Sequence, residues 1–224
     1  NNRAVRWAKA AIVASLAAGL LSACGPQEPP ATPFRATGEV IAFSGGDGGA
    51  ANACATCHGL RGQGDGRLTP RLAGLDAGYL HRQLDDYANG RHEHAAMREI
   101  ALHLTNDDRT KVAAYYAALP ATAAPAGAAS ASTQGAALYA RACAACHGAN
   151  GEGAGPGNPP LAGQSADYIE SQLTLWREGK RRGDGMNAML AVSRRLAPGE
   201  LRPVSAHAAA LPGDRPPAVR ATSP

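Results

Sequence analysis

Aromatic residues are scarce in this chain of 224 residues: two Trp, six Tyr and two Phe make up 4% of it. The length has room for one medium domain or two small ones, and a small domain buries little surface by itself. So few aromatic rings give such a domain little bulk for a core made of protein alone. The sequence therefore predicts that the chain folds around something large and apolar that is not protein.

Long apolar runs are absent too, with one exception at the start. Outside the first 24 residues, no apolar run approaches the 18 residues of a transmembrane helix. Residues 10–21 are apolar but number only 12, and three basic residues precede them, which is typical of a signal peptide. Residues 1–23 are therefore predicted to be the signal peptide of an exported, periplasmic protein.

The leader ends in Leu-Ser-Ala followed by Cys24, which resembles the lipobox of bacterial lipoproteins, where the cysteine sulfur is acylated. This predicts that Cys24 is a lipid site and that residues 24–35 are a tether. The alternative is an ordinary signal peptide that happens to precede a cysteine. Under either interpretation the mature chain is exported, and a lipid anchor at Cys24 would be its only predicted attachment to a membrane.

A strong excess of one charge is also missing. The formal net charge is +4, and three of the positive charges lie in the leader, which has no acidic residue. The remaining chain has no basic stripe interleaved with aromatic residues. The charge pattern therefore excludes a nucleic-acid partner.

Five cysteines are present, and four of them form two C-x-x-C pairs, each followed at once by histidine. Paired cysteines in an exported chain suggest disulfides, and zinc sites or redox pairs are further alternatives. The histidine decides between them, because C-x-x-C-H is the attachment signature of c-type haem. The thiols add to the haem vinyl groups, and the histidine is the proximal iron ligand. The predicted residues are Cys54, Cys57 and His58 for one haem, and Cys143, Cys146 and His147 for the other.

The chain contains an internal repeat. The second motif lies 89 residues after the first, and Pro70 and Tyr79 each have an identical residue 89 positions further on. Three inserted residues then change the offset to 92, which pairs Met97 with Met189. This repeat predicts two domains with one haem each. The predicted boundaries are a first domain at 36–120, a linker of Ala, Ser and Pro at 121–133, a second domain at 134–212 and an irregular tail at 213–224.

The hydrophobic pattern within each half is helical. Residues 76–88 place Leu80, Leu84 and Tyr87 on one face, and a capping box at Thr105 begins a later helix. No alternation typical of strands occurs in either half. The predicted fold class is all-α.

A haem iron has either a second protein ligand or an open site on its distal face. Met97 is the one methionine of the first half, and its register matches Met189 in the second. We therefore predict Met97 and Met189 as axial ligands, with Met186 as a rival for Met189; a methionine that only fills the core is the alternative. The first-half histidines after the motif, at positions 81, 92, 94 and 103, have no counterpart in the second half and are expected to be solvated. His92 and His94 remain alternatives to Met97 because they are close to it in sequence.

A proline follows each motif at the same distance, within P-R-L-A-G and P-P-L-A-G. A ligating histidine usually donates its other ring N–H to an oxygen, and a proline carbonyl is free for that bond. Pro70 and Pro159 are the predicted acceptors; loops that merely turn are the alternative.

The order of C-x-x-C-H, P-x-L-x-G and a late methionine followed by a helix resembles the class I cytochrome c fold. Two such units in tandem, with Y-L-x-x-Q-L at 79–84 and Y-I-x-x-Q-L at 168–173, resemble the diheme cytochrome c-four family and the diheme c subunits of membrane-bound dehydrogenases. The resemblance covers roughly residues 36–212. It implies two covalently bound haem c groups with His/Met ligation, facing each other across the domain interface, and electron transfer to or from respiratory partners.

Two features depart from that pattern. The lead-in to the first motif is longer than the lead-in to the second, which predicts that its helix is interrupted near the glycine-rich residues 44–49. Pro203 lies where the last helix of the second half is expected, and His207 replaces the Tyr115 of the first half. Proline in a helix interior removes a hydrogen bond and causes a clash, so the second domain is expected to be the less stable one.

Two haems with both axial positions filled leave no place for a substrate, so we predict an electron-transfer protein and not an enzyme. One hypothesis is a periplasmic carrier between a quinol-oxidising complex and a terminal oxidase. The second is the cytochrome subunit of a dehydrogenase. The third, a diheme enzyme such as a peroxidase, needs an iron site that is open or labile, and the two methionines argue against it.

Overall fold

The computed structural model describes residues 37–121 and 132–213, and these residues form helices and loops without a β-strand. The strand-like pairs among them are two isolated antiparallel bridges, His92 with Arg181 and Ala154 with Asn158. The predicted all-α class is confirmed. No helix in these two ranges has both the length and the apolar character needed to cross a bilayer. Cys24, the tether and most of the predicted linker and tail lie outside the described residues.

The two halves have the same succession of helices. The helices of the first half are α1 (Gly38–Ser44), α2 (Cys54–His58), α3 (Ala77–Ala88), α4 (Ala95–His103) and α5 (Asn106–Ala118). Those of the second half are α6 (Thr133–Ala142), α7 (Ala144–His147), α8 (Ala166–Arg177), α9 (Ala188–Arg195) and α10 (Pro198–Ala210). The repeat seen in the sequence is therefore a repeat of secondary structure as well.

The first half enters its C-x-x-C-H motif through a broken helix. α1 ends at Ser44, and its C-cap residue Gly45 has a left-handed backbone with a φ of 77°. Two 3₁₀ turns, Gly46–Gly48 and Ala50–Asn52, follow before α2 begins. In the second half, α6 leads almost directly into α7. The predicted interruption is confirmed, and it falls on glycine because glycine adopts a left-handed backbone without steric cost.

Caps fix the starts of two predicted helices. The Asp76 carboxylate accepts a hydrogen bond from the Tyr79 amide at 3.0 Å, where α3 begins. Thr105 and Asp108 form the predicted capping box of α5, in which each side chain accepts from the other residue's amide at 3.1 Å. Both caps satisfy amide groups that have no partner within the helix.

A glycine lets the first and last helices of each half cross closely. A Cβ atom on Gly38 of α1 would lie 2.0 Å from the carbonyl oxygen of Lys111 in α5. A Cβ atom on Gly135 of α6 would lie 2.4 Å from the carbonyl oxygen of Pro203 in α10. Neither crossing has room for a larger residue. Because Lys111 and Pro203 are 92 residues apart, the two crossings are copies of one packing arrangement.

Each half has its own buried core. The first core includes Ile41, Leu75, Leu80, Leu104, Val112 and Tyr116. The second includes Leu138, Tyr139, Ile169, Leu173, Leu201 and Val204. Partly buried Cys54 packs against the first core, and partly buried Cys143 and Met189 pack against the second. The core of each half is therefore continuous with its C-x-x-C-H motif.

Pro203 lies inside α10, as the sequence predicts, yet the helix runs unbroken from Pro198 to Ala210. The residues at the start of α10 favour a helix. Pro198 occupies the first helical position, where a missing N–H costs little, and the Glu200 carboxylate accepts from the Ala197 amide at 2.8 Å. The effect of Pro203 on stability stays a prediction.

Candidate haem-binding sites

The first C-x-x-C-H motif forms the short helix α2, which ends at a buried histidine. The Nδ1 atom of His58 lies 2.9 Å from the carbonyl oxygen of Pro70. A carbonyl oxygen only accepts, so Nδ1 carries the proton of this bond. The other ring nitrogen, Nε2, is then left with a lone pair, which is what an iron ligand needs.

The second motif has the same geometry. His147 ends α7 and is buried, and its Nδ1 lies 2.9 Å from the carbonyl oxygen of Pro159. Both prolines therefore lie where the sequence predicts an acceptor. The same distance occurs in two loops that are 89 residues apart in the sequence. This agreement indicates that each loop orients the imidazole ring of its histidine.

Burial sets the protonation state of these groups. It lowers the pKa of His58 and of His147, although the bond to the proline carbonyl opposes that effect. Both imidazoles are therefore neutral near pH 7, and the neutral form is the one that binds a metal. Burial also raises the pKa of the Cys54 and Cys143 thiols to about 11. Their partners, Cys57 and Cys146, are exposed.

Each half contains a cavity that brings its predicted site residues together. The cavity of the first half has a volume of about 560 Å³, and its wall includes Cys54, Cys57, His58, Pro70 and Met97. The cavity of the second half has a volume of about 410 Å³, and its wall includes Cys143, Cys146, His147, Pro159 and Met189. Leu, Ile, Val and Ala side chains supply much of both walls. Volumes of this size with apolar walls are typical of cofactor sites, and the residues present fit a covalently attached haem.

The rival methionine lies elsewhere. Met186 is 99% exposed and is not part of the described wall of either cavity, whereas Met189 is partly buried in the wall of the second. Met186 belongs to a turn in which Gly185, Met186 and Asn187 all have left-handed backbones. The register of the repeat and the placement of the side chain thus favour the same residue, Met189.

The two histidine alternatives are placed differently. His94 lines the first cavity, but its Nδ1 accepts a hydrogen bond from the Met97 amide at 3.2 Å. Since Nδ1 is the acceptor, the proton of the neutral ring is on Nε2, which then has no lone pair for iron. His92 does not line the described cavity walls. The geometry therefore favours Met97 over both.

The expectation that His92 is a solvated residue is wrong. It is 1% exposed, its ring stacks on Tyr87 with centroids 4.2 Å apart, and its Nδ1 lies 3.1 Å from Gln83 Oε1. The reason is its bridge to Arg181, which lies in the other half. His94 and His103 are exposed, as expected.

A common wall separates the two cavities. Its members line both of them and come from both halves: Leu75, Tyr79, Gln83, Gln164, Tyr168 and Gln172. Tyr79 and Tyr168 are repeat equivalents, as are Gln83 and Gln172. The two sites are therefore neighbours that share side chains.

Two buried arginines, which sequence reasoning missed, tie the halves together. Arg181 donates to Gln172 Oε1 at 2.7 Å, and across the interface to Gln83 Oε1 at 2.8 Å and to the Tyr79 hydroxyl at 3.1 Å. Arg71 donates across it to the Ala162 carbonyl at 3.1 Å. Composition and periodicity could not reveal them, because an arginine is ordinarily exposed.

The helical fold and the two C-x-x-C-H sites are those of a protein with two c-type haem domains. The family described as cytochrome c matches residues 46–119 and 132–203, one match in each half. The chain belongs to the cytochrome c family, with the domain present twice, and carries two covalent haem c groups.

Its relatives identify the kind of cytochrome. The chain is 41% identical over 181 residues to the thiosulfate dehydrogenase electron acceptor of Stutzerimonas stutzeri, covering 76% of this chain and 84% of that protein. The structure of reduced cytochrome c4 from Pseudomonas stutzeri is similar with a TM-score of 0.65 and 30% identity, over 76% of this chain and 98% of that one. The chain is homologous to both, and its function is electron transfer.

A third relative is longer than this chain. A thiosulfate dehydrogenase structure from Marichromatium purpuratum is similar with a TM-score of 0.66 and 38% identity, over 80% of this chain. The match covers 40% of that protein, so this chain spans less than half of it.

Proposed function

We propose that this chain is a periplasmic electron carrier in which each half holds one haem c between a histidine and a methionine. The supporting observation is that one arrangement occurs twice. Each cavity has on its wall a C-x-x-C-H motif, an imidazole bonded to a proline carbonyl, and a methionine.

The side chains of the first half divide the work. Cys54 and Cys57 would provide the thiols for two thioether bonds, and His58 would bind the iron through the lone pair of Nε2. Pro70 holds the imidazole in its orientation, and Met97 would provide a thioether sulfur as the second iron ligand. Cys143, Cys146, His147, Pro159 and Met189 take the same roles in the second half. A haem bound between such ligands supplies an iron that changes its oxidation state by one electron.

We propose that the protein is a carrier and has no catalytic residues. A diheme enzyme needs an iron site that its substrate can enter. Met97 and Met189 each occupy the wall of a cavity, so each half offers a side chain for the distal position. Both proposed ligands are neutral side chains that bind ferrous and ferric iron alike, which favours electron transfer with little movement.

The proposed partner is a dehydrogenase that oxidises a small sulfur anion such as thiosulfate. The relative at 41% identity is a thiosulfate dehydrogenase electron acceptor, and the structure at 38% identity is a thiosulfate dehydrogenase. Electrons would then pass to a terminal oxidase or another respiratory protein. Similarity to cytochrome c4 supports the second candidate, a carrier between a quinol-oxidising complex and an oxidase.

The test of ligation and electron count uses the purified holoprotein. Reductive titration is expected to show two one-electron steps, and the ferric protein should show a sulfur-to-iron charge-transfer band. That band should weaken by about half in each of Met97→His and Met189→His and vanish in the double variant, while Met186→Leu leaves it unchanged. Rapid cyanide binding by the ferric wild type at one haem, together with peroxide turnover, would replace the carrier with the enzyme.

The test of the partner compares electron donors. A thiosulfate dehydrogenase supplied with thiosulfate is expected to reduce both haems, and a quinol-oxidising membrane fraction should do so much more slowly. The opposite order would favour the second candidate. Purification from native membranes then identifies which protein travels with the chain.

The proposed lipid anchor rests on Cys24, outside the described residues. Cys24→Ser is expected to move the protein from the membrane fraction to the soluble periplasm. A wild-type protein that is already soluble would exclude the anchor.

A further inference from the structure

Both proposed methionine ligands lie in the first turn of a helix. Met97 is the third residue of α4, and Met189 is the second residue of α9. Amides in a first turn have no partner within their own helix, so an acceptor from outside decides how firmly the residue is held. A different type of side chain accepts the hydrogen bond from the methionine amide in each half.

In the first half the acceptor is an imidazole. His94 is the N-cap of α4, and its Nδ1 accepts from the Met97 amide at 3.2 Å. Its ring also packs edge-on against Tyr87, with centroids 6.3 Å apart. The bond links the backbone of the methionine to a ring that lines the same cavity.

In the second half the acceptor is a carboxylate that reaches past a strained turn. Gly185, Met186 and Asn187 have φ values of 46°, 46° and 55°, and Asn187, the N-cap of α9, provides no side-chain bond. Instead, Asp184 Oδ2 accepts from the Met189 amide at 2.6 Å. Left-handed backbone at residues other than glycine is costly and persists only where the surroundings hold it.

The second oxygen of that carboxylate adds an independent observation. Asp184 Oδ1 is buried, has no hydrogen-bond partner among the described residues, and belongs to a residue in the wall of the second cavity. Placing a carboxylate oxygen there is unfavourable. Capping the methionine amide is the interaction that this placement gains.

We propose that Asp184 and His94 are positioning residues, which hold the amides of Met189 and Met97 and so fix where each thioether lies. This inference rests on the proposed His/Met ligation. The two residues are not repeat equivalents, because neither the offset of 89 nor that of 92 pairs them. An imidazole holds the methionine amide in the first half, and a carboxylate holds it in the second.

The test reads each methionine alone through the charge-transfer band of the ferric holoprotein. In a Met97→His background, Asp184→Ala is expected to weaken the band of the second half and to speed cyanide binding there by about tenfold, the effect of one lost hydrogen bond. Asp184→Asn should retain both properties, because its amide oxygen still accepts. Glu178→Ala is the matched control, since it removes an exposed carboxylate of the same half that pairs with Lys180.

The first half is tested in a Met189→His background. His94→Ala should weaken the band of Met97, and His94→Asn, a good N-cap residue, should restore it. Neither variant should change the band of Met189 when that band is read alone.

Three outcomes would overturn the proposal. One is an unchanged band and cyanide rate in both alanine variants. Another is a band that falls only in proportion to helical circular dichroism, which would mean that the caps merely hold the helices. The third is Asp184→Asn behaving like Asp184→Ala. If the Met97→His parent itself lacks a band from the second half, the His/Met ligation fails first, and the positioning role fails with it.

Discussion

Acid should destabilise the first half through His92. Burial, and then the charge of Arg181, lower the pKa of this imidazole to about 2, whereas it titrates near 6.5 in an unfolded chain. Between those two pH values the unfolded state binds a proton at His92 that the folded state does not bind. The contribution of neutral His92 to the free energy of unfolding is therefore complete above pH 6.5 and is lost as the pH falls towards 2. The slope is about 1.4 kcal/mol per pH unit, which amounts to about 3 kcal/mol at pH 4.5. A small domain has only about 5–15 kcal/mol in all.

The assay is urea unfolding of the holoprotein at several pH values, with wild type and His92→Gln compared. Other groups contribute equally to both proteins, so the difference in slope isolates His92. Glutamine can still donate to Gln83, and the variant should lose stability at pH 7 but depend less on pH below 6.5. His103→Gln is the control, because this histidine is exposed. Identical slopes for wild type and His92→Gln would refute the reasoning.

Three further predictions concern helix packing and haem attachment. Gly38→Ala should destabilise the first half by about 1–3 kcal/mol, because its Cβ would meet a backbone carbonyl; Gly199→Ala, which has open space, should not destabilise the protein in the same urea titration. Pro203→Ala should stabilise the second half by up to about 3 kcal/mol in thermal unfolding, since it restores a helix N–H; no gain would mean that α10 has already adapted. Cys54→Ser with Cys57→Ser should leave one covalent haem by haem staining and remove the helicity of the first half, so full helicity by circular dichroism would contradict it.

Local patterns predicted the helical elements well. The stripe of Leu80, Leu84 and Tyr87 and the box at Thr105 depend only on neighbours in sequence, and both produced the expected helices. The site residues follow from the same logic, because C-x-x-C-H fixes three of them within five residues. The proline and methionine of each site were predicted by comparing the two copies of the repeat, in which they occupy equivalent positions.

Long-range placement could not be predicted in this way. The sequence around His92 is typical of a surface segment, and only the packing of one half against the other buries this residue. Asp184 is similar, since its bond to the Met189 amide spans a turn that has no counterpart in the first half. His92 depends on a contact between the two halves and Asp184 on the inserted residues of the second half, so comparing the two copies of the repeat revealed the ligands but not these two residues.

The bridge between His92 and Arg181 joins two positions that are 89 residues apart and therefore equivalent. A surface that contacts its own copy is the defining property of an isologous interface in a two-fold dimer. Two identical domains packed this way would bury the same side chain twice at that point, and two arginines there would repel each other. On a single chain the copies can diverge, so one position keeps the cation and the other holds a neutral imidazole. Joining the two domains thus permits a contact that a symmetric homodimer could not form.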